Sequence, residues 1–559
     1  MTPSATVPPI VSAHEHGVGL EMETPSSLVT NLHVHGLQVD PRGNGDNVYL
    51  EIAPGEYFDY DIPVPENQPS GLFFYHPHRH RSATGQFWNG LQGAIIVEGG
   101  LDTVPAIQAA RERLMVISEL VLNELGQVPA GTPVPTAGPV DFSTVPAVPS
   151  QIYFPINGVL EPRLTIHPGE TQRWRIVNGA AHRALELALE RRGSGERIPM
   201  HQIAQDGINF PTSRARDTIL LAPGNRVELL VQPDRRGVYE LKSLPHDQGH
   251  PGGPRPGVLL ATVASTGRRV REPTTFPLPL IPTQMPDISR NPIDNTRTID
   301  WSGEVMTAPL VFQINGKVFD PARSDQTITV GTTELWTLVN HDVFQHPFHI
   351  HVNPFQVIAI NGKPYPEPDV WWDTFSLPPK GTVTLRMFFR PDVIGTTVFH
   401  CHILPHEDLG MMSRIDLVPP GPPPPPVPPV GPFPTGKPIP PAGTPRFRRL
   451  RDRPYVFTQL YPEIADGQAA RVPVGRTIEV QLPAMPTQWN PSIDGDAVRQ
   501  RAGETVYPSI GQFDGASAVI AIPFRAVRRG SAAITFGGTP VPPPWLPDPY
   551  ALRVDTSGR

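Results

Sequence analysis

The chain has 559 residues, a formal net charge of −7, 74 prolines, 49 glycines and a single cysteine. At roughly 150 residues per domain, that length allows three or four domains. Mild acidity without a long basic run argues against a nucleic-acid partner, and one cysteine rules out an intrachain disulfide. No apolar stretch reaches the roughly 20 residues needed to cross a bilayer, so membrane insertion is not expected.

In chain order, "MTPSATVPPIVSAHEHG" lacks a basic run followed by an apolar core, the pattern of an export signal. The stretch "GVGLEMETPSSLVTNLHVHG" offers one short strand, ending in His33 and His35. "FFYHPHRH" carries His76, His78 and His80. Runs rich in Val, Ile, Thr, Phe and Leu then recur between turn signals: "GAIIVEG", "RLMVISELVL", "RLTIHPGETQRWRIVN" and "TVTLRMFFRP". This pattern predicts β-sandwiches and not helical or βαβ architecture. An internal echo supports it, since "INGVLEPRLTIHPGETQRWRIVN" (156–178) resembles "INGKVFDPARSDQTITVGTTELWTLVN" (314–340). "HPFHIH" supplies His346, His349 and His351, and "HCHILPHEDLGMM" supplies His400, Cys401, His402, His406, Met411 and Met412. The segment 418–445 is so rich in proline that it predicts an extended polyproline spacer. The tail beyond it alternates like strands again.

Side chains alternate faces along a strand, so each His-x-His pair sets both imidazoles on one face, where two rings can converge on a metal ion. A lone pair is weak evidence, because hydrogen-bonded histidines are common; four pairs together need metal ligation. The same alternation turns Cys401 away from His400 and His402, so it ligates a different ion. Its expected partners are His346, offset from its neighbours by Pro347, and His406, with Met411 available after Gly410. Two imidazoles, a thiolate and a weak axial thioether form the blue-copper set, whereas zinc more often takes a tetrahedral set richer in thiolate or carboxylate.

These four ordered clusters resemble the copper-binding motifs of the multicopper oxidases, a laccase-like family built from cupredoxin β-sandwiches. The similarity spans about residues 28–418. It implies three cupredoxin domains, 1–102, 103–270 and 271–418; composition and strand alternation add a proline-rich linker, 419–446, and a C-terminal β-sandwich, 447–559. The resemblance also implies four coppers per chain. Type 1 copper would take His346, Cys401, His406 and Met411, and type 2 copper His33 and His349. The type 3 pair would take His35, His76, His78, His351, His400 and His402. Asp46 and Glu407 match acidic positions tied to proton or substrate traffic, with an ordinary solvated carboxylate as the alternative for each. His80 reads as a lining residue or a plain surface histidine. Trp371 and Trp372 read as packing residues or the border of a substrate surface.

The implied activity is oxidation of a small-molecule reductant coupled to reduction of dioxygen to water. Family members act on phenols and aromatic amines, on bilirubin-like pigments or on low-valent metal ions. Cuprous oxidases of that family tend to carry a methionine-rich insert near the type 1 site, whereas the 10 methionines here are unclustered apart from Met411 and Met412, so the resemblance implies a phenol oxidase ahead of a metal-ion oxidase. A cupredoxin scaffold with little turnover is the alternative outside enzymology. Family resemblance implies an extracytoplasmic setting. The few residues before His33 suggest that the first domain lacks leading strands and that the reading frame starts late.

The tail, with "RTIEVQLPAMPTQWNPSI", "SAVIAIPFRAVRRGSAAITF" and "YALRVDT", resembles chagasin-like cysteine-protease inhibitor domains, which are small immunoglobulin-like sandwiches. Where that family reads asn-pro-thr-thr-gly-tyr, this chain reads "MPTQWN". A generic adhesion or accessory domain therefore stands beside the inhibitor reading, and either implies a protein partner for the tail.

Overall fold

A computed structural model describes residues 29–122, 151–249, 253–304 and 311–421, together with the backbone of strands between 437 and 557. The expected linker and the expected shortfall of strands before His33 lie wholly or largely outside the described residues. The chain divides into two compact units, residues 1–438 and 439–559.

Within the first unit the N-terminal sheet has the order His33–His35, Gly71–His76, Gly93–Val97. Next in sequence come two facing five-stranded sheets. One is centred on Gly237–Leu244 and the other on Arg226–Val231, which lies between Met200–Gln205 and Gln172–Gly179. Apolar alternation aims Trp174, Ile176, Leu187, Leu189, Leu229 and Leu241 into the core between them, all fully buried. A second facing pair follows. A larger sheet includes Asn295–Glu304, Thr333–Asn340 and Thr382–Phe388, and it faces a five-stranded sheet in the order Gln326–Thr329, Met412–Val418, Gly395–Cys401, His346–Ile350, Thr374–Leu377. Trp301, Trp336, Phe348, Leu385 and Phe399 fill the space between.

The sequence echo is a structural repeat. Ile156-Asn157-Gly158-Val159 and Ile314-Asn315-Gly316-Lys317 both close two-residue turns, with Asn φ of 50° and 52° and Gly φ of 80° and 69°. Positive φ at both central positions defines the turn whose twist suits a hairpin, and it selects Asn-Gly. Each repeat then buries a tryptophan whose indole N–H donates two residues back, Trp174 to Gln172 Oε1 at 3.2 Å and Trp336 to Glu334 Oε2 at 2.8 Å. Each repeat ends on a buried asparagine, Asn178 or Asn340, whose amide donates to loop carbonyls.

Two details depart from the strand reading. "RLMVISELVL" breaks into Arg111–Ser118 and Leu120–Leu122, because the buried Glu119 carboxylate turns to the backbone N–H of His182 at 3.1 Å. Short helices form at Ala83–Trp88 and Leu404–Asp408, the second with Pro405 in its first turn, where a missing N–H costs nothing. Among the described residues, no helix is long and apolar enough to cross a membrane.

In the second unit, strands fall where alternation predicts them. Thr477–Pro483 pairs with Ala518–Ala526, and Gln488–Asp494 and Tyr550–Ser557 flank Gly530–Thr539. The start of the "MPTQWN" segment and residues 509–517 and 540–549 lie outside the described residues.

Candidate metal centre

Strand register brings the histidine pairs together. His33–His35 runs antiparallel to Gly71–His76, setting His33 opposite His76 and His35 opposite Phe74. In the C-terminal sheet, His349 lies opposite His400 and Phe348 opposite Cys401. One face of that pairing therefore carries imidazoles, while Cys401 on the other joins the core around Phe348, Phe399 and Met411. The imidazole faces of the two sheets meet, with His33 stacked on His351 at 3.8 Å between centroids and His35 on His349 at 3.7 Å.

Eight imidazoles form overlapping donor groups: His33, His35 and His349; His35, His76 and His402; and His78, His351 and His400. In the last, the three Nε2 atoms face one another at 3.0, 3.1 and 3.4 Å. His402 Nε2 lies 3.3 Å from His35 Nδ1. An imidazole nitrogen sits about 2.0–2.1 Å from a first-row divalent ion, which places tetrahedral donors about 3.3 Å apart, so the spacing fits a shared ion. Nitrogen protonation agrees. His76 and His349 direct Nδ1 at the backbone carbonyls of Pro77 and Asp373, at 2.9 and 2.8 Å. Their Nε2 atoms, and that of His33, are buried without a hydrogen-bond partner. Buried orphan lone pairs are costly unless something electropositive takes them.

The thiolate group is separate. Cys401 Sγ lies 3.5 Å from His346 Nδ1 and 3.6 Å from His406 Nδ1, and the two nitrogens are 3.2 Å apart. The main chain fixes this triangle, since Cys401 N–H donates to Met411 O at 3.0 Å and Met411 N–H to His406 O at 2.9 Å. Met411 shares the core of Cys401, whereas Met412 packs with Val48, Tyr49 and Val398 on the other face, which separates the two methionines. Burial pushes the Cys401 thiol well up, so it becomes a thiolate only when a cation compensates its charge.

Both acidic candidates touch rings of these donor groups. Asp46 lies 2.9 Å from His33 Nδ1 and accepts the Val34 N–H at 2.9 Å. Glu407, fully buried on the 404–408 helix, lies 3.1 Å from His400 Nδ1 and 3.5 Å from His78 Nδ1. Burial raises both carboxyls to about 7.

Several contacts here were missed in the sequence. Asp342 lies 2.6 Å from His346 Nε2, and Asp373 lies 3.1 Å from His35 Nε2 while pairing with the buried Arg226. Asp408 accepts from Thr84 N–H and Oγ1 at 2.9 and 2.6 Å, tying the two short helices together. The i to i+4 spacing of Asp342 and His346 was a usable signal; Asp373 and Arg226 have none, being 147 residues apart. His80 stays outside the donor groups, its ring edge-on to Phe319 at 5.0 Å. Trp371 packs on Ile208 and Ile288, and Trp372 on Phe375. The remaining described histidines have structural uses, such as His182 with Glu119 and His341 with Asp300.

Burial sets the acid sensitivity of the metal-free fold. Desolvation first, then repulsion from neighbouring positive charge, holds the imidazoles of His33, His35, His76, His349, His351 and His402 well below 6.5, and desolvation, opposed by Glu407 and by the Cys401 carbonyl respectively, holds His78 at about 3 and His400 at about 4. The unfolded chain binds these protons near pH ~6.5 and the fold does not, so stability falls as pH drops through that value. Asp46, Glu407 and Asp408, each raised to about 7, act oppositely, since their stabilisation is complete below pH ~4 and fades towards 7. Imidazoles outnumber these carboxyls. The unfolding temperature of the copper-free protein should therefore fall as pH drops from 7 to 5, offset in part by the carboxyls. Thermal scans across that range check it, and a rising midpoint would contradict the burial argument.

Fold and site together define a metal-binding β-sandwich protein with clustered imidazole donors and one thiolate. Family models described as multicopper oxidase match residues 5–101 and 287–420. The multicopper oxidase mco of Staphylococcus aureus is 27% identical over 395 residues, 69% of this chain and 76% of that protein. A laccase of Bacillus subtilis is 26% identical over 462 residues, 75% and 85% of the two chains. The solved multicopper oxidase of Campylobacter jejuni, described as a metallo-oxidase, superposes with a TM-score of 0.56 at 25% identity, covering 70% of this chain and 80% of that one. The chain belongs to the multicopper oxidase family, its fold is cupredoxin-like and its cofactor is copper.

Proposed function

We propose that this oxidase couples one-electron oxidation of phenolic or other aromatic reductants, at a type 1 copper held by His346, Cys401, His406 and Met411, to four-electron reduction of dioxygen to water. The second reaction belongs to a trinuclear cluster, with type 2 copper on His33 and His349 and the type 3 pair on His35, His76, His402 and His78, His351, His400. The donors then come from the first and third of three sandwiches, 1–102 and 271–418, and an extracytoplasmic setting goes with this reading. The observation that carries it is the placement of three consecutive residues, His400, Cys401 and His402, in three different donor groups. A few covalent bonds then connect the thiolate to both sides of the imidazole cluster.

The chain's own residues divide the remaining work. His406 keeps 7% exposure while Cys401 and His346 have none, so its ring edge is where a reductant approaches. Asp46 and Glu407 hold protons near neutral pH beside the imidazole cluster, where water formation consumes them. Asp342, at 8% exposure on His346, favours a second reading in which the reductant is a metal cation. Copper loading followed by oxygen uptake tests both. Uptake with 2,6-dimethoxyphenol at a kcat/KM at least tenfold above that with ferrous or cuprous ion supports the phenol reading, and the reverse ratio supports the cation. No uptake with any of them rejects an oxidase.

A further inference from the structure

Among the described residues, the sandwich formed by residues 111–265 contributes no donor to either group, yet two of its turns end against the imidazole cluster or the residue that supports it. Gly224, at φ +87°, is so close to His402 that a Cβ there would lie 2.8 Å from His402 Nε2. Two residues on, the fully buried Arg226 reaches Asp373 with both ends of its fork, Nη1 to Oδ1 at 2.8 Å and Nη2 to Oδ2 at 2.5 Å. From the neighbouring turn, Asp206 accepts the backbone N–H groups of Arg226 at 2.9 Å and Asp373 at 3.2 Å. Asn225 Nδ2 donates to Asp206 at 3.0 Å and to Thr374 O at 2.9 Å. Asp373 is therefore gripped at its carboxylate and its main chain by residues of another sandwich.

What Asp373 does with that grip is visible on its other side. Its Oδ1 lies 3.1 Å from His35 Nε2, and its carbonyl lies 2.8 Å from His349 Nδ1. One residue thus orients two imidazoles from two different sheets, leaving His35 Nδ1 and His349 Nε2 as the atoms free to ligate. Gly36, at φ +86°, is part of the same arrangement. A Cβ there would fall on Arg226 Nη2 and 2.6 Å from Asp373 Oδ2, so the residue after His35 must lack a side chain for the ion pair to form.

We infer that Asp206 and Arg226, acting through Asp373, are positioning residues that set the aim of His35 and His349, so that the donorless sandwich specifies geometry at the cluster. A bidentate Arg–carboxylate pair supplies the directionality this needs, which a lysine point charge lacks. The inference rests on His35 and His349 being copper donors, as proposed above.

The test compares copper-loaded parent protein with Arg226→Lys, Arg226→Met and Asp206→Asn. The readouts are copper per chain, the blue thiolate absorption, and the electron paramagnetic resonance signal of the non-blue copper. A parent without a blue band and four coppers would defeat the functional assignment itself, independently of the variants. With that parent in hand, Arg226→Met should lose about one copper and the non-blue signal while keeping the blue band. Arg226→Lys should retain the metal with an altered non-blue signal, and Asp206→Asn should show the same alteration in a variant of unchanged size. Four coppers with an unchanged non-blue signal in Arg226→Met would overturn the inference. So would loss of the blue band in step with the metal, which marks general damage and not lost aim.

Discussion

Replacing Cys401 by serine should abolish the blue absorption, lower the copper content by about one per chain and cut oxygen uptake on the order of a thousandfold or more, as removing one member of a concerted unit does. The reason is the donor, not the shape. Serine fits the fully buried site between His346 and His406, where Sγ now lies 3.5 and 3.6 Å from their Nδ1 atoms. Its hydroxyl is a hard, protonated ligand that neither gives the thiolate absorption nor makes the covalent bond to copper that would feed the backbone path to His400 and His402. The imidazole donors lie on the opposite face of the strand, so their copper should remain, and metal analysis with absorption spectra separates the two sites. A serine variant that stays blue or keeps parental uptake would remove Cys401 from the assignment.

Glu407→Gln should leave copper content and the blue band unchanged and slow steady-state oxygen uptake about a hundredfold, the scale of a lost general acid. Glutamine keeps the side-chain volume beside His400 Nδ1 and His78 Nδ1 but has no acidic proton to give. In the parent, a carboxyl raised to about 7 by burial carries its proton below that pH and loses it above, so uptake should decline as pH rises through 7. The variant should lack that contribution, leaving Asp46 to shape what remains of the limb. Bleaching of the blue band by reductant under anaerobic conditions should stay fast, because Glu407 touches the imidazole cluster and not the thiolate group. Parental uptake and an unchanged pH profile in Glu407→Gln would remove this residue from proton delivery.

The donors were legible because they are local. His-x-His on a strand, Cys401 between two histidines and the offset of His346 by Pro347 each follow from two-residue alternation, which needs no knowledge of distant partners. The hairpin repeat was legible for the same reason, since Asn157-Gly158 and Asn315-Gly316 select one turn whatever surrounds them. The 404–408 helix was less so. Its five residues are too few to show a period, and tertiary contacts, with Leu404 N–H on Ala181 O and Asp408 on Thr84, hold it in place.

Residue types and their spacing alone thus pointed to the β architecture, the candidate metal donors and the separation of Cys401 from its two neighbours. Only the tertiary structure decided which histidines share a group, because His35 meets His402 and His78 meets His400 across more than 300 residues by the docking of two sheets. It alone decided the surroundings of those donors as well. Asp373, Arg226 and Asp206 come from distant turns, and a buried ion pair has no sequence period to announce it; its partners are chosen by packing, where desolvation allows a charge only if its counter-charge is already in place.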